Sequence, residues 1–178
     1  MPGAYNTAAA APPRVAFKEW ASIVRALEEG KQDVLFRKGG IAEEGRGFRV
    51  EHDRFLLFPT YFHQQLTGLR AEFAALLERA MASRPPDGRL VMGSWVEVKR
   101  SFVIAREEDL APLESRHVYA PHVLLERLHG RHGKTLFALE VEVHRLDRPL
   151  DVPMLDAYAG CKSWVDLDPQ AGAKARAE

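Results

Sequence analysis

The chain has one cysteine, balanced charge and no long apolar run, and each of these shortages excludes a class of protein. With Cys161 alone no internal disulfide can form, which favours the reducing cytoplasm over an extracellular address. Lysine plus arginine equals aspartate plus glutamate at 25 each, so a strongly basic coat is excluded, but a local basic patch is not. No apolar run approaches the roughly 20 residues that cross a bilayer. We expect a cytoplasmic protein with no membrane segment.

The length and composition predict one domain. At 178 residues, 46% of them hydrophobic, the chain can bury a single sizeable core. We place this domain at residues 17–168. Residues 1–16 are rich in alanine and proline without periodicity, and residues 169–178 are similar, so we expect a disordered leader and a disordered tail.

Three segments have the apolar spacing of helices. The first has Gly30 where a C-terminal cap belongs, and its apolar face comprises Phe17, Trp20, Ile23, Val24 and Leu27. The second begins near Thr60 or Thr67, ends before the turn at residues 85–88, and carries Leu69, Phe73, Leu76, Leu77 and Ala80. The third begins at Pro121 and closes at Gly130. Residues 153–158 add a short helical turn.

Four segments predict strands. Residues 33–37 form a short strand, and residues 55–58 are apolar at every position, as in a strand covered on both faces. Residues 90–104 form a long strand in which Gly93 marks a bend or bulge, and residues 135–146 alternate in polarity. Regular crossover helices do not separate the later strands. The sequence therefore favours an α+β fold, with a small, partly closed, mixed or mainly antiparallel sheet and packed helices.

A charged, glycine-rich stretch at residues 37–54 leads into the apolar strand and is the first candidate site. Gly39-Gly40 offers backbone amides to an anion, although the glycine spacing matches neither a Walker loop nor a dinucleotide loop. Interleaved acidic residues neutralise part of the field, so a solvated loop of ion pairs is the alternative. The candidate binding residues are Arg37, Lys38, Arg46, Arg49, His52, Arg54 and His63.

A second candidate is the tripeptide Glu97-Val98-Lys99, preceded by Pro86-Asp87. This order is similar to the P-D…(D/E)-x-K nucleases, in which two carboxylates hold Mg²⁺ and the lysine activates water. Strand alternation places Glu97 and Lys99 on one face. The spacing from Asp87 is short, and Asp87 lies in what reads as an ordinary turn, so a solvent-facing strand edge is the alternative.

The histidines and the cysteine complete no further site. His129-x-x-His132 straddles Gly130 and has no evident third ligand, so we predict no bound metal. Lys162 follows Cys161, but no histidine partner can be named for a nucleophile, which favours a structural thiol. We expect no cofactor, unless the tripeptide is catalytic and binds Mg²⁺.

Several blocks of sequence closely resemble one bacterial family, called domain of unknown function 1802. They are KEWA at 18–21, LFRKGGI at 35–41, FRVEH at 48–52, RFLLFPT at 54–60, HQ at 63–64 and GCKSW at 160–164. The resemblance spans about residues 17–167. It implies no particular activity, but related regions occur joined to Mrr-like restriction endonuclease domains. It thus implies a nucleic-acid context or a restriction-type partner protein.

The chain is also similar, more weakly, to the ASCH group of PUA-like, RNA-associated domains. Those domains follow a first helix with a G-x-K-x-x-E-x-R stretch, whose glycine and arginine match Gly30 and Arg37. Gln32 stands where that motif has its lysine, and Leu35 where it has glutamate, so the similarity implies a fold and not a site.

Three functions are compatible with these observations. The first is a nucleic-acid-associated accessory or recognition module, linked to restriction-modification or RNA handling. The second is a Mg²⁺-dependent nuclease that uses Glu97 and Lys99. The third is a protein-interaction domain whose exposed Tyr61-Phe62 pair meets a partner.

Overall fold

Six strands and three α-helices make up the regular structure of the described residues. The computed structural model describes residues 13–38, 52–62, 64, 66–130, 136–160 and 162–168. The strands are β1 (Val15–Trp20), β2 (Val34–Lys38), β3 (Arg54–Thr60), β4 (Arg89–Ile104), β5 (Leu136–Pro153) and β6 (Trp164–Asp166). The helices are α1 (Ala21–Glu28), α2 (Ala74–Ala82) and α3 (Pro121–His129). Short 3₁₀ segments lie at Leu66–Gly68, Ala71–Phe73, Glu107–Arg116 and Asp156–Tyr158.

All six strands join in one mixed sheet, in the order β2-β5-β4-β3-β1-β6. β1 and β3 are parallel, and the other neighbours are antiparallel. The predicted α+β class is confirmed. No hydrogen-bonded pairing between the edge strands β2 and β6 closes the sheet within the described residues.

The sheet nevertheless curls until side chains from its two ends touch. The guanidinium carbon of Arg37, on β2, lies 5.1 Å from the ring centroid of Trp164, on β6. It lies 5.3 Å from the ring centroid of Phe17, on β1. The curl therefore brings β2 beside β1 and β6, although three strands lie between β2 and β1 in the sheet order.

β3 is buried on both faces, as its unbroken apolar run predicts. Phe55 and Leu57 belong to the larger core, which the helices cover. Leu56 and Phe58 belong to a smaller core on the other face, together with Tyr158. Leu90 and Met92, near the start of β4, and Val152, near the end of β5, belong to the same core. Because successive side chains of a strand point to opposite faces, a strand inside two cores must be apolar at every position.

β4 and β5 form the longest strand pair of the sheet, and their pairing is irregular at two places. The register shifts between Met92 and Ser94, which confirms the bulge predicted at Gly93. A second shift lies between Val98 and Arg100. Bulges increase the local twist of a strand pair, so these two irregularities account for part of the curl.

The sequence prediction is wrong at the first helix. Phe17 and Trp20 belong to β1, and α1 begins only at Ala21. Their spacing of three suits a helix face, but β1 gains a long-range partner in β3, which local periodicity does not reveal. Gly30 does close the helix: its φ is 67°, and the Lys31 N–H donates to the Ala26 carbonyl at 2.9 Å.

The remaining boundaries follow local signals in part. α3 begins at Pro121 and is capped by Gly130, as predicted. α2 begins later than expected, at Ala74, after two 3₁₀ segments, and neither Thr60 nor Thr67 caps it. β1 begins at Val15, two residues before the domain start that we expected, and the predicted tail lies outside the described residues.

In the described part of the chain, no helix is both long and apolar enough to span a membrane.

Candidate functional site

A cleft of about 750 Å³ lies where β1, β2 and β3 end. Trp20, Lys38 and Thr60 are the last residues of these strands, and all three line the cleft. Residues 84–90, 158–160 and 162–163, with Arg127 and Met154, add to the wall. Chain ends of neighbouring strands are where side chains from distant parts of a sequence converge, so this position suits a binding site.

The cleft is strongly basic, although the chain as a whole has balanced charge. Among the residues that the structure describes, seven cationic side chains line it, against two carboxylates, those of Glu19 and Asp87. The seven are Lys18, Arg37, Lys38, Arg84, Arg89, Arg127 and Lys162. A concave surface with charge of one sign focuses the field and attracts anions.

Aromatic rings lie among these cations. In the described part of the chain, seven aromatic residues line the cleft, of which Trp20, Tyr61 and Phe62 are partly or fully exposed and Phe17, Phe36, Phe58 and Tyr158 are buried. Phe62, at the rim, is 70% exposed, and the Arg84 guanidinium carbon lies 5.6 Å from its ring centroid. Exposed rings beside cations can stack with planar ligands while the cations bind phosphate.

The cations differ in how their charge is compensated. Arg84 and Arg89 have carboxylate partners, Asp87 at 3.0 Å and Asp151 at 2.7 Å. Lys38 donates instead to the backbone carbonyl of Gly130, at 2.8 Å. A backbone carbonyl carries no net charge, so Lys38 keeps its positive field in the cleft.

Arg127 is partly buried and also has no direct ion-pair partner among the described residues. Its Nη1 donates to the Phe36 carbonyl at 3.3 Å, and its guanidinium carbon lies 4.7 Å from the ring centroid of Tyr119. No carboxylate oxygen of the described residues lies within 4.0 Å of it. Glu19 is close enough to act on Arg127 through its charge, but forms no salt bridge with it.

Tyr119 lies between these two charges. Burial raises the pKa of the Tyr119 phenol, and the nearby Glu19 carboxylate raises it further. Glu19 and Arg127 are both near enough to the hydroxyl to affect its pKa, in opposite directions, although neither meets strict hydrogen-bond geometry with it. The phenol is therefore uncharged and separates the two ions.

The structure places the predicted binding residues in different surroundings. Arg37 and Lys38 line the cleft. His52 does not: its ring packs edge-on against Trp164, with 5.0 Å between centroids. Arg54 also lies elsewhere, with its guanidinium carbon 4.4 Å from the ring centroid of Trp95. Three further candidates, Arg46, Arg49 and His63, lie outside the described residues, as does Cys161.

The predicted catalytic pair lies on β4, away from the cleft. Lys99 Nζ is 3.3 Å from Glu97 Oε1 and 2.6 Å from Glu142 Oε2, so all three groups share one face, as alternation predicted for Glu97 and Lys99. Asp87 precedes β4 and pairs with Arg84. β4 begins at Arg89, and at about 3.3 Å a residue roughly 26 Å of strand separate Arg89 from Glu97. The structure does not bring Asp87 and Glu97 together on one metal.

Six charged lining residues were not predicted from the sequence: Lys18, Glu19, Arg84, Arg89, Arg127 and Lys162. Lys18 and Glu19 lie on a segment taken for a helix, and the other four are scattered along the later part of the chain. No local motif marks them, because only the curl of the sheet brings β1, α3 and the turn after Tyr158 together.

Comparison with known proteins places the fold and the family. No curated protein matches the chain. The crystal structure of ASCH from Zymomonas mobilis matches with a TM-score of 0.50 and 10% identity, over 92% of this chain and 93% of that one. Structures of two mutants of the same protein match at 0.47, with 12% and 11% identity. They cover 92% and 93% of this chain and 96% and 97% of theirs.

The fold is therefore ASCH-like, as the weaker resemblance implied. At this level of identity the likeness concerns the arrangement of the chain alone. The family rests on a separate match, with the model described as "Domain of unknown function (DUF1802)", over residues 16–177. That match covers nearly the whole sequence, so the chain belongs to the DUF1802 family.

Proposed function

We propose that this protein is a nucleic-acid recognition module that binds a single-stranded segment in the basic, aromatic cleft. The observation that carries the proposal is the local charge: in the described part of the cleft seven cations face two carboxylates, in a chain whose net charge is zero. Phosphate contacts supply most of the affinity of such a surface.

The rings favour a single strand over a duplex. A duplex hides the faces of its bases, whereas a single strand offers them for stacking on exposed aromatic side chains. Phe62 provides such a ring at the rim, and Trp20 lies deeper, at the end of β1. A basic groove without rings would bind both forms through phosphate alone.

Recognition is favoured over Mg²⁺-dependent cleavage by the position of the candidate catalytic residues. Glu97 and Lys99 form ion pairs on β4, outside the cleft that would hold the nucleic acid. The structure contains no cluster of three or more potential metal ligands in its described part. The exposed Phe62 also suits a protein partner, but the surrounding cations suit a polyanion better.

The test is a salt titration of binding with a charge-matched control. Fluorescence anisotropy would follow labelled single-stranded RNA, single-stranded DNA and duplexes at increasing potassium chloride. Changing Lys38 and Lys162 together to alanine should weaken binding to single strands. It should also lower the slope of log affinity against log salt by about 0.7 for each phosphate that the variant no longer neutralises.

The control removes two exposed cations outside the cleft, by Arg106→Ala with Arg148→Ala. It makes the same change in net charge and should alter the affinity and the slope far less. Thermal melting would confirm that both double variants fold. The proposal fails if the unmodified protein binds no nucleic acid at low salt, or if both pairs of substitutions weaken binding equally.

A further inference from the structure

The cleft floor holds two opposite charges that do not neutralise each other. Glu19 is only 7% exposed but lines the cleft, and its Oε1 accepts a hydrogen bond from the Trp20 backbone N–H at 2.8 Å. Arg127 also lines the cleft, and Tyr119 separates it from Glu19.

Neither charge is paired directly with the other. A carboxylate and a guanidinium that have lost much of their water are stabilised best by pairing directly with each other. Here the neutral Tyr119 hydroxyl is near enough to interact with both, and the bonds of strict geometry run to backbone groups, from the Trp20 N–H to Glu19 and from Arg127 to the Phe36 carbonyl. A carboxylate accepts up to about four hydrogen bonds and a guanidinium donates five, so both side chains keep capacity for a ligand in the cavity that they line.

A ligand that satisfies both must carry hydrogen-bond donors on one part of its edge and acceptors on the adjoining part. The walls add a second requirement, because the partly exposed rings of Trp20 and Tyr61 line the same cavity and favour a flat, aromatic ligand. A nucleobase meets both requirements. The cavity, at about 750 Å³, is within the usual size range for nucleotide-sized ligands.

Among the bases, guanine matches the floor best. It has two adjacent N–H donors, from the ring nitrogen N1 and the exocyclic amine N2, which a carboxylate can accept together. Its O6 and N7 are acceptors that arginine binds bidentately. Uracil has one N–H flanked by two carbonyl oxygens, which would repel the second carboxylate oxygen. Adenine and cytosine place a ring acceptor beside their amine, with the same effect.

We propose that the floor of the cleft is a guanine-binding subsite, in which Glu19 accepts from N1 and N2 and Arg127 donates to O6 and N7. The inference rests on the proposed function, because it names the base that a bound single strand would insert. Lys38 and Lys162 would then hold the flanking phosphates.

The experiment compares labelled oligouridine RNAs that differ only at one central base: guanine, hypoxanthine, adenine or uracil. The full chain should bind the guanine oligomer about 10-fold more tightly than the others. The hypoxanthine oligomer is the sharpest comparison, because this base lacks only the N2 amine from which Glu19 would accept a hydrogen bond. Glu19→Gln should remove the preference for guanine over hypoxanthine.

Glu126→Gln, an exposed residue of α3 outside the cleft, is the matched control and should leave the preference intact. If Glu19→Gln does not fold, the ratio between the guanine and hypoxanthine oligomers in the unmodified protein still decides the matter. Equal binding of all four oligomers would overturn the guanine subsite and leave the recognition function standing. Failure to bind any of them at low salt would overturn both.

Discussion

His117 is a histidine that the fold keeps uncharged. It is 4% exposed, and its ring packs edge-on against Phe36, with 5.2 Å between centroids. Burial, with a smaller effect from the nearby Arg70 charge, lowers the pKa of His117 to about 4 from its usual 6.5. Its Nδ1 has no hydrogen-bond partner among the described residues. The ring therefore packs as a neutral aromatic core residue and becomes charged only when it is protonated in acid.

This burial predicts a loss of stability in weak acid. As the pH falls below 6.5, the unfolded chain binds a proton at His117 before the folded chain does. The contribution of His117 to stability is complete above about pH 6.5 and is lost progressively as the pH approaches 4. Between pH 7 and 5 the loss should be on the order of 2 kcal/mol.

Urea unfolding of the unmodified protein and of His117→Phe would measure it. The variant keeps an aromatic ring against Phe36 but cannot titrate, so its free energy of unfolding should change less over the same interval. If both proteins lose equal stability between pH 7 and 5, the folded His117 is not held neutral.

At the scale of elements, Arg116 links the 3₁₀ segment Glu107–Arg116 to the sheet through ion pairs. Arg116 Nη2 lies 2.8 Å from Asp33 Oδ2, just before β2, and its Nη1 pairs with Glu140 on β5. Arg100, on β4, pairs with the same carboxylate at 2.6 Å. The two arginines, Arg100 first, lower the pKa of Glu140 to about 2.

The two arginines should contribute unequally to the free energy of unfolding. The side chain of Arg100 is 72% exposed, so water screens its pair, whereas that of Arg116 is 31% exposed and joins two carboxylates. We expect Arg116→Ala to lower the free energy of unfolding by about 2 kcal/mol, and Arg100→Ala to lower it clearly less. Urea unfolding at neutral pH would measure both. Equal losses would mean that exposure does not govern these pairs.

Local signals predicted those elements whose cause is local. Pro121 and Gly130 bound α3, Gly93 marks a bulge, and the unbroken apolar run of β3 reports two covered faces. β1 was mistaken for a helix, and β6 was missed. Both depend on pairing with partners far along the chain, and β6 is only three residues long. No periodicity develops in so short a strand.

The site divides in the same way. Arg37 and Lys38 were predicted because they precede a glycine pair at the end of a strand, which is a local pattern. Lys18, Arg127 and Lys162 join them only through the tertiary fold. His52 and Arg54 are near in sequence, yet the ring of His52 packs against Trp164 and the guanidinium of Arg54 against Trp95. Proximity in sequence therefore predicted two residues, His52 and Arg54, that do not line the cleft. It gave no indication of Lys18, Arg127 and Lys162, which do line it.

At the scale of the whole molecule, the site depends on the curl of the sheet. The described edge strands β2 and β6 share no backbone pairing, and the contacts seen between these two ends are made by side chains. Arg37 reaches the rings of both Phe17 and Trp164. This interaction joins the ends of the sheet beside the cleft, because Phe17 and Arg37 both line it. Weakening the contacts of Arg37 with these rings should therefore lower the stability of the fold and alter the shape of the cleft.

A double-mutant cycle on Arg37 and Trp164 tests whether their interaction stabilises the curl. Arg37→Met keeps an apolar stem without the charge, and Trp164→Leu removes the ring. For a partly buried cation beside an indole ring we expect a coupling free energy of about 1 kcal/mol in urea unfolding. Removing the interaction should also speed amide hydrogen exchange at Val165, in β6, because fewer side chains then hold that edge.

The matched control is the pair Arg84 and Phe62, whose guanidinium carbon and ring centroid are 5.6 Å apart. It has the same chemistry, but Phe62 is 70% exposed and neither residue belongs to a strand. Its coupling should be about 0.5 kcal/mol or less, with no effect on exchange at Val165. If the two cycles give the same coupling, or if Val165 exchanges no faster in Arg37→Met, then Arg37 does not stabilise the curl. The two cores would then have to maintain the shape of the cleft without it.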